Sequence, residues 1–316
     1  MSFGLKHQPF VICAEREMIE GKGEDCFSYS FINGDSGYIS VFDGCGGMGS
    51  RRYLKASGKT GARIASRVAA LVTDIFYNNQ QFCFDGSDNT RLKNALKDSF
   101  SKVKNAIEND GGIMLGGDLF RTTPTTASIV AIRNTAEEDI QCEYFWAGDS
   151  RGYYLDENGL CQVTKDDLRT EEDAFTNLKS DGRMSNIIHA DGDFAINERT
   201  IILSKPAMVI CSTDGAFGYF QSPMDFEYIL LNSLINSKSA EQWEKNLFDE
   251  VIPVAGDDFA VVIAAYGFGS FEECRRFYMK RYQYMKSNYI DKMYEEMPDS
   301  ELFLLWELYK KEYYRR

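Results

Sequence analysis

Carboxylates recur at the boundaries of the apolar, strand-like segments of this sequence. Taken singly, each is best explained by a turn, because Asp is a common turn residue. A folded sheet would bring these strand ends together, where unpaired carboxylates repel unless a cation holds them. An all-oxygen cluster favours Mg²⁺ or Mn²⁺, so a divalent-metal site is predicted. The acids are Glu24, Asp25, Asp43, Asp214, Asp257 and Asp258.

The strand-like segments are rich in Val, Ile, Tyr and Phe and are bounded by Gly, Asp or Asn. The stretch AGDSRG at 147–152 joins two of them and predicts a tight hairpin. The glycine after Asp43 would let the backbone carbonyl approach a metal closely. The predicted strands begin at Cys26, Gly37, Thr126, Cys142, Arg151, Thr200, Ala207 and Phe259.

Two amphipathic helices are predicted after the Asp43 loop, each with an apolar stripe at helical spacing. Because strands come in clusters and helices in blocks, the pattern favours α+β layers over an alternating βαβ arrangement. The first stripe contains Ile64, Val68, Leu71, Val72 and Ile75, and the second contains Leu92, Leu96, Phe100, Val103 and Ile107.

Two further segments differ in character from the rest. Residues 164–200 are polar, charged and weakly periodic, and they are interpreted as either an inserted flap or a solvated loop. Residues 269–316 predict a helical hairpin appended to a main domain at 1–268, with Ser300 as the N-cap of the second helix. Its aromatic stripe is interpreted as a packing face in preference to a surface that docks a partner.

Composition excludes several classes of function. The chain has 316 residues, 44% of them hydrophobic, and a formal net charge of −13, which argues against nucleic acid or an anionic membrane as the main partner. We expect a cytoplasmic protein, because no signal-peptide core and no membrane-length apolar run is visible. The eight cysteines form no C-x-x-C pair and are expected to be reduced. With only two histidines, the chain has too few of these ligands for a zinc site built on histidine.

Five ordered motifs make the sequence resemble the PP2C-type metal-dependent Ser/Thr protein phosphatases, most closely those of bacteria. They are GED at 23–25, VFDGCGGMG at 41–49, FWAGDSRGYYL at 145–155, VICSTDGAFG at 209–218 and GDDFAVVIAA at 256–265. The resemblance implies an αββα sandwich, two antiparallel sheets flanked by helices. It also implies hydrolysis of phosphoserine and phosphothreonine on proteins by a water activated by two Mn²⁺ or Mg²⁺ ions.

The same resemblance assigns roles to individual residues. Asp43 would bridge two metal ions, and Asp25 would orient the attacking water. Asp149, in the GDSR motif, is interpreted as structural. The remaining ligands would be Glu24 and the Gly44 carbonyl on one ion, Asp214 and Asp257 on the other, and Asp118 on a third, weaker ion.

Two positions depart from the family pattern. Cys45 stands where animal members have a histidine and bacterial members commonly have methionine. Glu20 occupies the position of the phosphate-binding arginine. We expect Lys22 or Arg51 to take over phosphate binding, unless both are surface charges.

Two alternative functions follow from these departures. CGGMGSR at 45–51 also fits the C-x5-R signature of cysteine phosphatases, in which Cys45 would be the nucleophile and Arg51 the phosphate clamp. That alternative leaves the other acidic motifs unexplained. The Glu20 departure instead suggests a pseudophosphatase that binds phosphoproteins without hydrolysing them.

Overall fold

The computed structural model describes residues 8–32, 36–107, 121–135, 138–170, 173–179, 182–294 and 296–315. The strands are β1 (Phe10–Arg16), β2 (Cys26–Ile32), β3 (Ser36–Phe42), β4 (Arg52–Tyr53), β5 (Lys59–Thr60), β6 (Ala127–Asn134), β7 (Asp139–Ala147), β8 (Arg151–Asp156), β9 (Gly159–Gln162), β10 (Asn197–Ser204), β11 (Ala207–Ser212) and β12 (Phe259–Tyr266). The α-helices are α1 (Gly61–Asn78), α2 (Asp88–Ile107), α3 (Ala174–Lys179), α4 (Asp214–Phe217), α5 (Pro223–Ile235), α6 (Ala240–Val251), α7 (Phe271–Asn288) and α8 (Asp299–Tyr313).

Two five-stranded antiparallel sheets pack face to face. One has the order β1-β12-β11-β8-β9 and the other β10-β7-β6-β3-β2. Helices α1 and α2 cover the outer face of the second sheet, and α5 to α8 cover the first. The predicted αββα sandwich is confirmed. Within the described residues, no helix is both long and apolar enough to cross a bilayer.

Strand β12 shows why the central strands are apolar along their whole length. Phe259, Val261 and Ile263 belong to the core beneath the helices, whereas Ala260 and Val262 belong to the core between the sheets. Successive side chains point to opposite faces of a sheet, and here both faces are covered. The strand therefore needs apolar residues at every position.

The predicted hairpin at 147–152 is wrong. Strand β7 pairs with β6 and β10, whereas β8 pairs with β11 and β9 in the other sheet. The turn therefore carries the chain from one sheet to the other. A short turn between two strands does not determine whether those strands pair with each other, because that choice depends on their other partners.

The apolar stripe predicted for α1 is partly wrong. Leu71 and Ile75 are 59% and 50% exposed, and the face that packs on the sheet consists mainly of small residues. The predicted stripe and the face that is actually buried both have helical spacing. The contacts of the polar residues therefore determine which of the two faces of α1 packs on the sheet. Arg63 and Arg67 donate hydrogen bonds to the Gly23 and Glu24 carbonyls, which turns the alanine face inward. That buried face includes Ala62, Ala65, Ala69, Val72 and Phe76. For α2, the predicted Leu92, Leu96, Phe100 and Ile107 are buried.

The segment predicted as a flap or loop contains α3, and its last residues, 197–200, already belong to β10. It contacts the sandwich and the last helix. Trp306 and Lys310 of α8 donate hydrogen bonds to Asp173 over 3.0 and 2.7 Å, and the Tyr314 hydroxyl accepts one from the Ala174 N–H over 2.7 Å. The segment is thus connected to α8.

The aromatic stripe of the C-terminal helices packs into the core under the first sheet. Helix α8 begins at Asp299, so Ser300 lies in its first turn and is not the predicted N-cap. Arg281 donates two hydrogen bonds to the fully buried Glu227, over 2.6 and 3.1 Å, and the Tyr309 hydroxyl donates to the same carboxylate. The buried stripe residues are Cys274, Tyr278, Met285, Tyr289, Leu302, Trp306, Tyr309 and Tyr313.

The Glu227–Arg281 pair provides a test of how firmly these helices are attached. Glu227→Gln should lower the free energy of unfolding by about 3 kcal/mol, because it leaves a buried guanidinium without its main counter-charge. Urea unfolding measures this value. Lys245→Ala, which removes an exposed ion pair with Asp249, should change it by less than about 1 kcal/mol. Equal effects of the two substitutions would contradict a stabilising role for the buried pair.

Candidate metal centre

A cleft of about 620 Å³ lies where the ends of several strands from both sheets meet. Its described lining contains six carboxylates and no Lys, Arg or His side chain. The negative charge of the cleft is therefore not balanced by a lining cation. The lining residues are Glu24, Asp25, Asp43, Gly44, Cys45, Gly46, Gly47, Met48, Met184, Asp214, Asp257 and Asp258.

Asp43 follows the last residue of β3 and is held by its backbone. Its carbonyl accepts hydrogen bonds from the Thr126 N–H over 2.8 Å and the Thr125 hydroxyl over 2.6 Å. A Cβ at Gly44 would lie 2.7 Å from the carbonyl oxygens of Ala62 and Glu24. Only glycine fits there, so the DG dipeptide is required by the packing as well as by the turn.

Glu24 is directed into the cleft by groups around it. The Thr60 hydroxyl donates a hydrogen bond to Oε1 of its carboxylate. A Cβ on Gly46 would overlap Oε2 of the same carboxylate, so Gly46 leaves the space that the carboxylate occupies. The glycine loop therefore accommodates an acid.

The two acids before β12 have different roles. The Asp258 carboxylate accepts hydrogen bonds from the Met18 N–H over 2.6 Å and the Glu24 N–H over 2.7 Å, so both of its oxygens are used. Asp257 is exposed in the cleft, where it accepts the Asp258 N–H over 2.8 Å. Asp258 thus fixes the Glu24 loop, and Asp257 remains available to bind a cation.

Asp149, which the sequence indicates to be structural, lies beside two of the predicted metal ligands. Carboxylate oxygens of Asp43, Asp149 and Asp214 lie within 4.8 Å of one another. Asp149 follows the apolar strand β7, which is the same signal that identified the other acids. Its place in a Gly-Asp turn concealed that signal, because such turns are common.

Burial and mutual repulsion raise the pKa of the clustered carboxyl groups. Burial raises the pKa of Asp25 and Asp43 well above the usual range, and the charges of nearby acids raise it further. Burial is also the main reason that the pKa of Asp214 rises to about 6 and that of Asp149 to about 8. A positive charge among them would reverse these shifts.

Two buried carboxylate oxygens at this site bear on whether it could bind a cation. Asp25 Oδ2 and Asp149 Oδ1 have no hydrogen-bond partner among the described residues. Buried polar atoms are nearly always satisfied, so these atoms indicate an additional ligand. With donors that are all oxygen, the residues fit Mg²⁺ or Mn²⁺.

The predicted phosphate-binding residues do not line the cleft. The Lys22 and Glu20 side chains are exposed, and the Arg51 guanidinium lies 5.0 Å from the centroid of the Tyr53 ring. A role for Lys22 or Arg51 remains a prediction. Asp118, the predicted ligand of a third ion, lies outside the described residues.

The surroundings of Cys45 argue against the alternative of a cysteine nucleophile. Cys45 is 7% exposed, and burial together with the charge of Asp43 raises the pKa of its thiol well above the usual range. A reactive cysteine needs its thiolate stabilised. The helix N-terminus that would bind phosphate is also missing after Cys45, because α1 begins only at Gly61.

Comparison with known proteins agrees with this fold. The serine/threonine phosphatase Stp1 from Staphylococcus aureus has a TM-score of 0.60 at 13% identity, over 84% of this chain and 97% of that chain. The Mycobacterium tuberculosis serine/threonine phosphatase PstP/Ppp has a TM-score of 0.52 at 16% identity, over 82% and 98%. The chain therefore has the fold of the bacterial PP2C-type Ser/Thr phosphatases, and the resemblance predicted from the five motifs is confirmed.

The chain is also similar to a bacterial protein from the curated proteins and to a further solved structure. A Mycoplasma genitalium protein named "Putative protein phosphatase" is 25% identical over 268 residues, which are 79% of this chain and 91% of the relative. The PstP catalytic domain has been solved in complex with two manganese ions, with a TM-score of 0.50 at 16% identity over 82% of this chain and 99% of that chain. No family model matches the chain.

The glycine loop provides a matched pair of substitutions. Gly46→Ala should displace the Glu24 carboxylate and weaken Mn²⁺ binding at least about tenfold, a loss typical of changes beside a metal ligand. Gly47→Ala should have little effect, because no atom lies within 4 Å of the Cβ position at Gly47. Isothermal titration calorimetry with Mn²⁺ measures both affinities. If Gly46→Ala bound Mn²⁺ like the wild-type chain, Glu24 would not be a ligand.

Proposed function

We propose that this protein is a metal-dependent phosphatase that hydrolyses phosphoserine and phosphothreonine in proteins. The observation that carries the proposal is the cluster of partly buried carboxylates Asp43, Asp149 and Asp214, together with the unpartnered oxygens of Asp149 and Asp25, at one end of a PP2C-type sandwich. Phosphate esters are anionic, and an acidic cleft can bind them only if cations outweigh its own charge.

The residues that would hold two Mn²⁺ or Mg²⁺ ions come from five separate parts of the chain. Glu24, Asp43 and the Gly44 carbonyl come from the first two motifs, and Asp214 and Asp257 come from the last two. Asp149 is added to this set by its position beside Asp43 and Asp214. Two bound cations would lower the pKa of a water molecule and neutralise the charge of the phosphate.

Asp25 would orient the attacking water. It is 4% exposed, and its Oδ2 atom has no hydrogen-bond partner among the described residues. A carboxylate oxygen in that position can accept a hydrogen bond from water and so direct the lone pair of the water towards phosphorus. The serine or threonine alkoxide is the leaving group, and no covalent intermediate with the protein is required.

Hydrolysis of a phosphothreonine peptide tests the proposal. The wild-type chain should be active with Mn²⁺, inactive with EDTA and active after treatment with iodoacetamide, because Cys45 is buried and plays no part in the reaction. Asp43→Asn should lower kcat at least about 1,000-fold, since metal ions supply several kcal/mol of transition-state stabilisation. Asp249→Asn is the matched control, because that acid is an exposed residue of α6.

The other outcomes of this experiment distinguish the remaining functions. Activity that survives EDTA and is lost on alkylation would contradict the metal mechanism and restore the cysteine alternative. If no condition gave activity while the phosphopeptide still bound, the protein would be a pseudophosphatase. Glu20 would then be the first residue to examine, because it replaces the phosphate-binding arginine of the family.

We further propose that Lys22 or Arg51 contributes to phosphate binding. Lys22→Ala or Arg51→Ala should raise KM for the phosphopeptide several-fold with little change in kcat, since a group that binds substrate and transition state equally affects KM alone. Arg52→Ala is the control, because that exposed side chain donates to the Gly58 carbonyl. An unchanged KM in both variants would assign these two side chains to the surface.

A further inference from the structure

Two adjacent acids, Asp166 and Asp167, bracket the turn that carries Asp149. Neither was identified as a functional residue from the sequence, and neither lines the acidic cleft. Asp166 contacts the residue that ends the turn, Arg151, and Asp167 contacts the residue that begins it, Gly148. The two carboxylates therefore restrain Asp149 from both sides.

Asp166 forms a buried ion pair with Arg151. Arg151 donates to Oδ1 over 3.0 Å through Nε and to Oδ2 over 2.7 Å through Nη2, and the two side chains are only 3% and 4% exposed. Gln162 and Asn177 donate to the same carboxylate over 3.1 and 2.8 Å. Each oxygen thus accepts two hydrogen bonds, and the bidentate pair fixes the plane of the guanidinium.

Asp167 holds Gly148 through both backbone and side chain. Its carboxylate accepts the Gly148 N–H over 3.1 Å, and its own N–H donates to the Gly148 carbonyl over 2.9 Å. Asn186 and Asn197 donate to the same carboxylate over 2.6 and 2.9 Å. Gly148 has a φ of +90° and its Cβ position lies 2.6 Å from the Thr126 side chain, so this residue has to be glycine.

Arg151 also packs on the helix that begins with Asp214. Its guanidinium carbon lies 4.3 Å from the centroid of the Phe217 ring, and Phe217 is the last residue of the short helix α4, which begins with Asp214. The Ser150 hydroxyl, between Asp149 and Arg151, is hydrogen-bonded to the Thr126 hydroxyl over 2.6 Å. Arg151, which ends the turn that carries Asp149, therefore links this turn to the helix that begins with Asp214.

We propose that Asp166 and Asp167 are positioning residues for the cation site, which hold Asp149 and Asp214 in a geometry that binds divalent cations. The proposal rests on the cation site of the proposed function but does not require the phosphatase activity. Asp43, Asp149 and Asp214 repel one another, so a turn that was free to move would carry Asp149 away from the other two. The hydrogen bonds that Asp166 and Asp167 form with the turn prevent that movement before a cation binds. Groups that orient ligands in this way contribute strongly to metal affinity.

Calorimetric titration of the full chain with Mn²⁺, in the absence of any substrate, tests the proposal. Asp166→Asn should weaken Mn²⁺ binding at least about tenfold, as is typical for a residue that orients a metal ligand. Asp173→Asn is the matched control in the same segment, because its carboxylate contacts Trp306 and Lys310 of α8 and not the Gly148–Arg151 turn. The control should bind Mn²⁺ within about twofold of the wild-type chain, an effect well below that expected beside a ligand.

A double-mutant cycle separates positioning from general stability. If Asp166 acts through Asp149, Asp166→Asn should weaken Mn²⁺ binding much less in an Asp149→Asn background than in the wild-type chain. If Asp166→Asn lowered the melting temperature but left Mn²⁺ affinity unchanged, the proposal would be overturned and the pair would be only structural. Equal losses in the two backgrounds would overturn the claim that Asp166 acts through Asp149.

A second variant covers the case in which Asp166→Asn does not fold, since it leaves the buried Arg151 without a counter-charge. Asp167→Asn perturbs the opposite side of the turn and keeps that ion pair, and it should weaken Mn²⁺ binding in the same direction. Wild-type affinity in Asp167→Asn would overturn the proposal. If the wild-type chain itself bound no Mn²⁺, the cation site would fail, and the positioning role would fail with it; loss of phosphatase activity alone would not affect this result.

Discussion

Asp43, Asp149 and Asp214 hold carboxylate oxygens within 4.8 Å of one another at the end of two packed sheets. Three like charges at this separation repel, and burial makes the charged forms less stable still. The pKa of Asp149 rises to about 8 and that of Asp214 to about 6, chiefly through burial. Such a cluster keeps its geometry only if the surrounding structure fixes the three backbone segments that carry these acids. The sheets and the segment between β9 and β10 do so.

The two sheets provide the rigid part of this arrangement. Asp43 follows β3 and Asp214 follows β11, and both strands are buried on both faces. Close packing on both sides leaves these strand ends little freedom to move apart. Asp258 connects the ends further, since its carboxylate binds the backbone of Met18 and Glu24 at the start of the chain.

The segment between β9 and β10 and the C-terminal helices provide the less regular part. Asp166 and Asp167 hold the turn around Asp149, and Asp173, farther along the same segment, is held by Trp306 and Lys310 of α8. The last helix is therefore connected to the segment that also contains Asp166 and Asp167. Because α7 and α8 belong to the core beneath the first sheet, that core holds α8 in place for its contacts with Asp173.

The amino-acid sequence was enough to predict the layered α+β architecture, the order of the motifs and the six acidic residues that line the cleft. These features could be predicted because they depend on local signals: apolar runs of strand length, glycines that allow close approach, and acids at strand ends. Asp43, Asp214 and Asp257 were identified in this way. The oxygen donors likewise predict Mg²⁺ or Mn²⁺ as the class of cation that would bind there.

Where two local interpretations fit the sequence equally well, as for the turn at Asp149 and the packed face of α1, contacts in the tertiary structure select one of them. The turn at Asp149 crosses between sheets because β7 and β8 have other partners, and this brought an acid with an ordinary turn sequence into the cluster. Helix α1 turned its alanine face inward because Arg63 and Arg67 bind the Glu24 loop. Contacts between residues far apart in the sequence made these choices, and such contacts have no local pattern that a sequence can show.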